Sequence, residues 1–279
     1  MALWEDKRVL ITGGSSGLGL AMAELVARRG SHVAIVGRDP DRLEAAREAV
    51  AANRVRPDQR VVSYRCDVSD WIEMSETVDR VTADLGGVDV LAACAGFCTP
   101  GRFTELPVAA FAEHVQVNLL GTIYAARAVA PQMIERGSGH IALVSSMGGL
   151  VGVYGYSAYS ASKFGVTGFA EVLRAEMRPH GVRVSLLAPP NMETPGYARE
   201  LELEPPETAA INQMARALPP DVVAAQFVRG IERGRFLILS GMSNKLLYRL
   251  EGLLPELFFA VFDAQVASVR RKEARHAAS

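Results

Sequence analysis

The residues best suited to chemistry are a tyrosine and a lysine four positions apart, Tyr159 and Lys163 in the segment YSASK. In a helix this spacing puts both side chains on one face. An ammonium group beside a phenol favours the phenolate, so we predict that Lys163 lowers the pKa of Tyr159 from its usual value of about 10. Such a tyrosine can donate a proton to an oxygen and recover it afterwards.

Ser146 lies thirteen residues before Tyr159 and is expected to hold the same oxygen through a second hydrogen bond. The alternative is an ordinary helix-surface pair with Ser146 as a strand cap, because Tyr-xxx-Lys spacings also arise by chance. A glycine-rich turn elsewhere in the chain favours the chemical interpretation.

That turn is the segment TGGSSGLG, which follows an apolar strand pattern and leads directly into a helical pattern. Glycines let the backbone turn tightly and approach a pyrophosphate, which the positive end of the helix then holds. An ordinary strand-to-helix turn is the alternative. The residues predicted to contact the cofactor here are Gly13, Ser15, Ser16, Gly17, Leu18 and Gly19.

Two arginines after the second predicted strand suggest which dinucleotide binds. Arg38 and Arg42 lie where a 2′-phosphate requires positive charge, so the pattern favours NADPH over NADH. The alternative is a pair of solvated surface charges, because Asp39 and Asp41 could pair with them.

Asp67 follows the third predicted strand. Its carboxylate is expected to accept a hydrogen bond from the adenine amino group. An N-cap role near Ser69 is an equally good interpretation.

Short β-branched runs alternate with helical patterns along the chain, as in right-handed βαβ units. The predicted strands are 8–12, 32–36, 60–64, 88–93, 140–145, 183–187 and 236–239, with amphipathic helices at 41–53 and 69–85. We therefore predict an α/β fold, a Rossmann-type doubly wound parallel sheet of about seven strands. This single domain would span 1–240 with a helical substrate lid at about 190–220, followed by an apolar helical extension at 241–279.

Composition excludes several classes of function. The 279 residues carry a net charge of −1, which gives no general attraction to nucleic acid. Three cysteines, Cys66, Cys94 and Cys98, lack the spacing of a disulfide framework or a zinc site, so we predict no metal and a cytoplasmic setting. The first residues pass from charged positions into a short apolar run, and we expect no secretory signal.

The glycine-rich turn, the set of Ser146, Tyr159 and Lys163, and Asn118 in the segment VNLLG together resemble a short-chain dehydrogenase/reductase over about residues 7–236. The resemblance implies that Tyr159 is the general acid, Ser146 orients the carbonyl, Lys163 binds the nicotinamide ribose and Asn118 holds a water of the proton relay. From the sequence alone Asn118 could equally be a buried helix residue at a kink. The resemblance also places Val68, Ala95, Gly96, Pro189 and Thr194 at the cofactor.

Two departures from the general family pattern narrow the resemblance. Cys94 stands where an asparagine usually braces the central strands, and Pro190 replaces a glycine after the sixth strand. With the turn sequence GGSSG, the double proline and Phe262-Asp263, these features are most similar to 3-ketodihydrosphingosine reductases. The resemblance implies NADPH-dependent reduction of a lipid ketone, the 3-keto group of a long-chain sphingoid base.

The apolar tail suits a lipid substrate, since each buried methylene contributes about 0.8 kcal/mol. Apolar side chains recur there at helical spacing, with Pro255 predicted to divide two short helices: Leu246, Leu247, Leu250, Leu253, Leu254, Leu257, Phe258 and Val261. Packing on the core or on a twin subunit is an equal alternative to lipid contact. The basic end at Arg270, Arg271, Lys272 and Arg275 could meet anionic headgroups, although a solvated helix end explains it better.

The sequence leaves alternatives open for substrate and assembly. A steroid, fatty acyl or xenobiotic carbonyl is the second enzymatic interpretation, and a non-catalytic NADP(H)-sensing protein is the alternative from another class. The family resemblance implies a homodimer or homotetramer paired through the helices that carry Asn118 and Tyr159. We also expect peripheral membrane contact of a cytoplasmic enzyme.

Overall fold

A seven-stranded, all-parallel sheet lies at the centre of the computed structural model, which describes residues 4–213 and 216–277. Its strands are β1 Arg8–Thr12, β2 His32–Gly37, β3 Val61–Arg65, β4 Val90–Ala93, β5 Gly139–Val144, β6 Val182–Ala188 and β7 Leu237–Leu239. Their order in the sheet is β3-β2-β1-β4-β5-β6-β7. Every predicted strand is present, with its ends within two residues of the prediction.

Helices connect the strands and continue after the sheet. They are α1 Gly17–Ala27, α2 Pro40–Ala51, α3 Trp71–Leu85, α4 Val108–His114, α5 Gly121–Arg136, α6 Ser157–Met177, α7 Pro195–Leu203, α8 Pro206–Asn212, α9 Pro220–Glu232, α10 Met242–Leu253 and α11 Pro255–Ala277. A π-helical segment, Val115–Leu120, joins α4 to α5. The two helices predicted at 41–53 and 69–85 correspond to α2 and α3.

Both faces of the sheet are covered because its strands are apolar on both sides. On β1, Leu10 packs into the layer formed with α3, α5 and α6, whereas Val9 and Ile11 pack towards α1, α2 and α9. This is the usual arrangement of a parallel sheet. The carboxyl ends of the strands therefore remain as the place where side chains can meet a ligand.

The strand order reverses direction between β1 and β4, since the chain runs outward from β1 to β3 and then returns to β4 on the other side. In open α/β sheets, ligands bind in the crevice at this switch point, outside the carboxyl ends of the strands. The observed topology thus confirms the predicted Rossmann-type sheet and locates the crevice.

The lid between β6 and α9 contains α7 and α8, and its base is closed by a parallel bridge between Met192 and Leu218. The amide of Glu193 donates to the carbonyl of Leu218, whose own amide donates to the carbonyl of Asn191. Backbone hydrogen bonds therefore join the start of the lid to its end.

A buried carboxylate ties the lid to the tail. The side chain of Glu207, on α8, is only 1 % exposed and accepts from Arg102 at 3.0 Å and from the Tyr154 hydroxyl at 3.1 Å. Arg270, on α11, donates to Glu207 at 3.3 Å and to Tyr154 at 2.9 Å. We call these four residues the Glu207 network.

The tail divides at Pro255, as predicted, but α11 has 23 residues and is longer than the short helix that was expected. Within the described residues no single helix has the length and apolar character to cross a membrane, but segments 244–253 and 255–272 meet these criteria as a pair bent by 116°. The side chains exposed around the bend include Leu250, Leu253, Leu254 and Leu257.

Candidate active site

Tyr159 and Ser146 meet at the carboxyl end of β5. Ser146 follows this strand and its hydroxyl accepts a hydrogen bond from the amide of Gly148 at 3.1 Å, which fixes the turn. The Ser146 side chain also hydrogen bonds with Tyr159, in the first turn of α6. Ser146 therefore caps a turn, as the alternative interpretation expects, and it also contacts the phenol.

Burial raises the pKa of Tyr159 well above its ordinary value, Cys98 adds to that shift, and the hydrogen bond with Ser146 opposes it. The prediction that Lys163 lowers the pKa of Tyr159 is therefore wrong, because the pKa is raised. The lysine Nζ lies 5.9 Å from the centre of the Tyr159 ring, too far for its charge to outweigh the burial. The phenol consequently keeps its proton at neutral pH.

Lys163 is anchored behind the tyrosine. Its Nζ donates to the carbonyl of Val144 at 3.0 Å, and the residue is only 4 % exposed. Burial lowers the pKa of Lys163 to about 8. The Ser145 hydroxyl donates to the carbonyl of Lys163 at 2.9 Å, which fixes α6 against the end of β5.

Asn118 is fully buried in the π-helical segment. Its Nδ2 donates to the carbonyl of Phe97 at 2.9 Å and its Oδ1 accepts from the amide of the same residue at 2.9 Å. Nδ2 also donates to the Ser162 hydroxyl at 3.1 Å. The side chain thus braces the backbone beside the lysine, which agrees with a buried residue in an irregular helix, and a bound water stays a prediction.

Gly96 lies between these two groups. A β-carbon at this position would lie 3.0 Å from Asn118 Oδ1 and 3.1 Å from Lys163 Nζ. Asn118, Lys163 and Gly96 are therefore brought together, as the sequence predicts.

The glycine-rich turn packs through backbone contacts that leave no room for side chains. Gly13 has φ +67°, and a β-carbon there would lie 2.8 Å from the Cα of Ala95. A β-carbon on Gly19 would lie 2.3 Å from the carbonyl oxygen of Gly13. The turn thus lies directly against α1 and the end of β4.

Helix α1 begins at Gly17, and the side chain of the N-cap residue Ser16 makes no capping hydrogen bond. Leu18 lines the cleft above the turn. Ser15 packs towards β2, since a β-carbon on Gly37 would lie 3.1 Å from its hydroxyl. An anion fits at this helix start, where backbone amides point outward.

The two arginines lie in different places. Arg38 lines the cleft, whereas Arg42 is exposed on α2 outside the lining. Contact of either arginine with the cofactor stays a prediction. Asp39 does not neutralise either one by an ion pair within the described residues. It instead caps α2, accepting from the amides of Asp41 and Arg42 at 3.1 Å.

Asp67 and Val68 are not among the residues that line the cleft. Asp67 accepts from the amide of Ser69 at 3.0 Å and from its hydroxyl at 2.7 Å, while the cap of α3 is Asp70. Burial would raise the pKa of Asp67, but hydrogen bonds from Ser69 and the charge of Arg38 lower it. Val68 is buried against Gly121, so it acts as a core residue here.

Hydrogen bonds fix the backbone next to both sequence departures, Cys94 and Pro190. The Thr12 hydroxyl accepts from the amide of Ala95 at 3.2 Å, which links the central strands although Cys94 has replaced an amide side chain. The carbonyl of Pro189 accepts from the amide of Met147 at 2.9 Å. Thr194 caps α7, and its methyl group would lie 3.2 Å from a β-carbon on Gly17.

The cleft has a volume of about 680 Å³ and reaches from the glycine-rich turn to the tail. Apolar side chains of the lid and tail contribute to its lining: Leu203, Ile211, Leu247 and Phe262. Sequence reasoning missed the polar lining residues Cys98, Tyr156, Glu200 and Asn212. Cys98 follows the Ala-Gly step closely enough to have been found, but Glu200 and Asn212 come from lid helices whose position depends on distant contacts.

Comparison with known proteins places this arrangement in a family. A family model described as short chain dehydrogenase matches residues 7–204, so the chain belongs to the short-chain dehydrogenase/reductase family. It is an oxidoreductase acting between a carbonyl and an alcohol with a nicotinamide cofactor. The chain is similar to a 3-ketodihydrosphingosine reductase of Bos taurus, with 36% identity over 88% of this chain and 75% of the relative. It is also similar to a 3-ketodihydrosphingosine reductase of Dictyostelium discoideum, with 36% identity over 96% of this chain and 84% of the relative.

Among solved structures the chain resembles a short chain dehydrogenase/reductase from Burkholderia phymatum in complex with NAD. The TM-score is 0.80 at 26% identity, covering 92% of this chain and 96% of that one. The residues described above fit a dinucleotide, because the start of α1 is open to an anion and Lys163 and Arg38 both line the cleft.

Proposed function

We propose that the chain reduces the 3-keto group of a long-chain sphingoid base with NADPH. The observation that carries this proposal is the shared cleft, in which Tyr159 and Ser146 lie in one lining with Leu203, Leu247 and Phe262 from the lid and tail. The similarity to 3-ketodihydrosphingosine reductases supports the same substrate.

The protein groups are arranged for proton donation to a carbonyl oxygen. Burial raises the pKa of Tyr159, so its phenol is in the donor form needed for reduction. Ser146 hydrogen bonds to the phenol and orients the oxygen beside it. When bound, the reduced nicotinamide supplies the hydride. Lys163 would hold the nicotinamide ribose, and its charge stabilises the phenolate left behind.

Arg38 supports the choice of NADPH. It lines the cleft near Asp67, whose pKa it helps to lower, and Asp39 is occupied in capping α2. The guanidinium therefore has no ion-pair partner within the described residues and suits a 2′-phosphate.

The lid and tail are proposed to receive the alkyl chain. Three exposed leucines at the bend, Leu250, Leu253 and Leu257, lie on the same helices as Leu247 and Phe262, which line the cleft. An apolar edge of this kind suits a membrane interface, from which a lipid substrate enters the cleft. Peripheral membrane contact and a cytoplasmic location are parts of this proposal.

Assembly into a dimer or tetramer is also proposed, with α6 as a contact helix. Phe164 and Val172 on this helix are 44% and 58% exposed, which is high for apolar side chains. Light scattering of the purified chain would check this, since a monomeric mass contradicts it.

The test of function follows NADPH absorbance with 3-ketodihydrosphingosine and with 3-ketones of graded chain length in detergent micelles. We expect kcat/KM to rise by about 15-fold for each added pair of methylenes that the cleft buries, because burial contributes about 0.8 kcal/mol per methylene. A compact cyclic ketone serves as the control substrate. Equal or faster reduction of the cyclic ketone would contradict the lipid substrate, and binding of NADPH without reduction of any ketone would indicate a nucleotide sensor.

A further inference from the structure

Glu200 lies on lid helix α7 and lines the cleft close to the reacting groups. It is half-buried, and its carboxylate hydrogen bonds with the thiol of Cys98. Both Glu200 and Cys98 are near enough to Tyr159 to raise the pKa of its phenol. The carboxylate thus lies on the side of the tyrosine where the lid covers the cleft.

The charges around Glu200 leave it without a cationic partner. Among the described acidic residues of the lining, Glu113 is exposed and Glu200 is half-buried. Arg199 is next to Glu200 on α7, but it is exposed, and no ion pair joins the two in the described part of the chain. Lys163 donates instead to the carbonyl of Val144.

The other groups around Glu200 are polar and acidic. Glu204, which directly follows α7, accepts from Asn212 at 2.7 Å, and Asn212 also donates to the Tyr156 hydroxyl at 2.9 Å. Burial, together with the charge of Glu204, raises the pKa of Glu200 to about 7. A half-buried carboxylate in this environment is stabilised by any cation that enters the cleft.

We infer that Glu200 binds the substrate ammonium group on the carbon next to the reacting carbonyl, and that it selects 2-amino-3-ketones over ketones without an amine. The inference rests on the proposed function, because a sphingoid base carries its amine on that carbon. The ammonium and the carbonyl oxygen are on adjacent atoms of the substrate. A carboxylate near Tyr159 can therefore hold the ammonium while the phenol and Ser146 hold the oxygen.

The first test compares two substrates in the 279-residue chain. One is 3-ketodihydrosphingosine, and the other is the matched long-chain 3-ketone in which hydrogen replaces the amine. We expect the wild-type chain to prefer the amine by tenfold or more in kcat/KM. Glu200→Gln should remove this preference, with a loss of about 10- to 100-fold for the aminoketone and less than threefold for the ketone, as for loss of one charge-assisted hydrogen bond.

The matched control is Glu202→Gln, which removes an exposed acid of α7 outside the lining and should leave the substrate preference within threefold. Equal losses for both substrates in Glu200→Gln would overturn the inference, since they would indicate a structural role. An unchanged preference would overturn it as well. Thermal unfolding of each variant shows whether the lid remains folded.

A second measurement separates this inference from the proposed function. Sphinganine and its analogue without nitrogen are titrated into the NADPH-loaded chain by calorimetry, which requires no turnover. Tighter binding of sphinganine that is lost in Glu200→Gln supports the ammonium site even if no ketone is reduced. Equal binding of the two lipids by the wild-type chain contradicts the site even if 3-ketodihydrosphingosine is reduced.

Discussion

The cofactor side and the substrate side of the cleft are held together by different kinds of contact. At the glycine-rich turn, backbone meets backbone, as where Gly19 lies against Gly13 and Gly13 against Ala95. At the lid, charged side chains and one tyrosine form the Glu207 network, which joins residues 53 to 116 positions apart. The first side is shaped by the absence of side chains and the second by their charges, so the two sides should respond differently to substitution.

The largest expected effect lies where the two sides meet. Tyr159→Phe removes the proton donor and should lower kcat by about 10²- to 10⁴-fold. Binding of NADPH should change less than threefold, because the turn and Arg38 are untouched. Single-turnover kinetics and a fluorescence titration of NADPH measure the two quantities. A large loss of NADPH affinity in Tyr159→Phe would show that the cofactor side and the substrate side of the cleft do not act separately.

Disruption of the substrate side alone should come next in size. Burial would raise the pKa of Glu207, but hydrogen bonds from Arg102, Tyr154 and Arg270 lower it to about 2 from 4.5. The folded chain therefore binds fewer protons than the unfolded chain between these values, and its free energy of unfolding decreases as pH falls from 4.5 towards 2. The contribution at neutral pH is about 3 kcal/mol.

Glu207→Gln should remove most of that contribution, flatten the acid dependence of unfolding and raise KM for the long-chain substrate. NADPH affinity should stay within threefold. Chemical denaturation between pH 2 and pH 7 measures the first two effects. The control is Glu105→Gln, because Glu105 pairs with the same Arg102 at an exposed position and such pairs contribute about 0–1 kcal/mol. A similar loss in both variants would argue against a special role of the buried carboxylate.

Arg38→Ala should affect the cofactor side alone. Loss of a charge-assisted contact with the 2′-phosphate should raise KM for NADPH about 10- to 100-fold and leave KM for NADH within threefold. Arg42→Ala is the control and should have a smaller effect, since Arg42 lies outside the lining. Steady-state kinetics with both dinucleotides decide this, and equal losses would mean that Arg38 does not bind the phosphate.

The smallest expected effect on the free energy of unfolding is an increase caused by a substitution on the cofactor side. Burial lowers the pKa of Lys163 to about 8 from 10.5, so the unfolded chain binds more protons and stability increases as pH rises between these values. Lys163→Met should raise the free energy of unfolding at pH 7 by about 1 kcal/mol after the lost hydrogen bond to Val144 is included. Activity should fall sharply, whereas Lys7→Met at an exposed position should change neither quantity.

The same contrast explains what the sequence could predict. All seven strands and the residues around Tyr159 were predicted because strand patterns and glycine turns are local signals. Glu200 and Asn212 were missed because the lid helices are positioned by contacts with α11 and the loop after β4, which leave no local pattern. The pKa direction of Tyr159 was also missed, since burial outweighs a lysine 5.9 Å from the ring and spacing alone does not reveal burial.

The Glu207 network also has a consequence for the order of synthesis. A ribosome adds about 5–20 residues per second, so Arg270 follows Glu207, 63 residues earlier, by several seconds. During that interval the carboxylate has Arg102 and Tyr154 as partners, because both precede it in the chain. Docking of α11 then completes the lid after all seven strands, β1–β7, have been made. A codon-dependent pause between α8 and α11 would therefore lengthen the time during which a nascent chain has its dinucleotide site but an incomplete substrate lid.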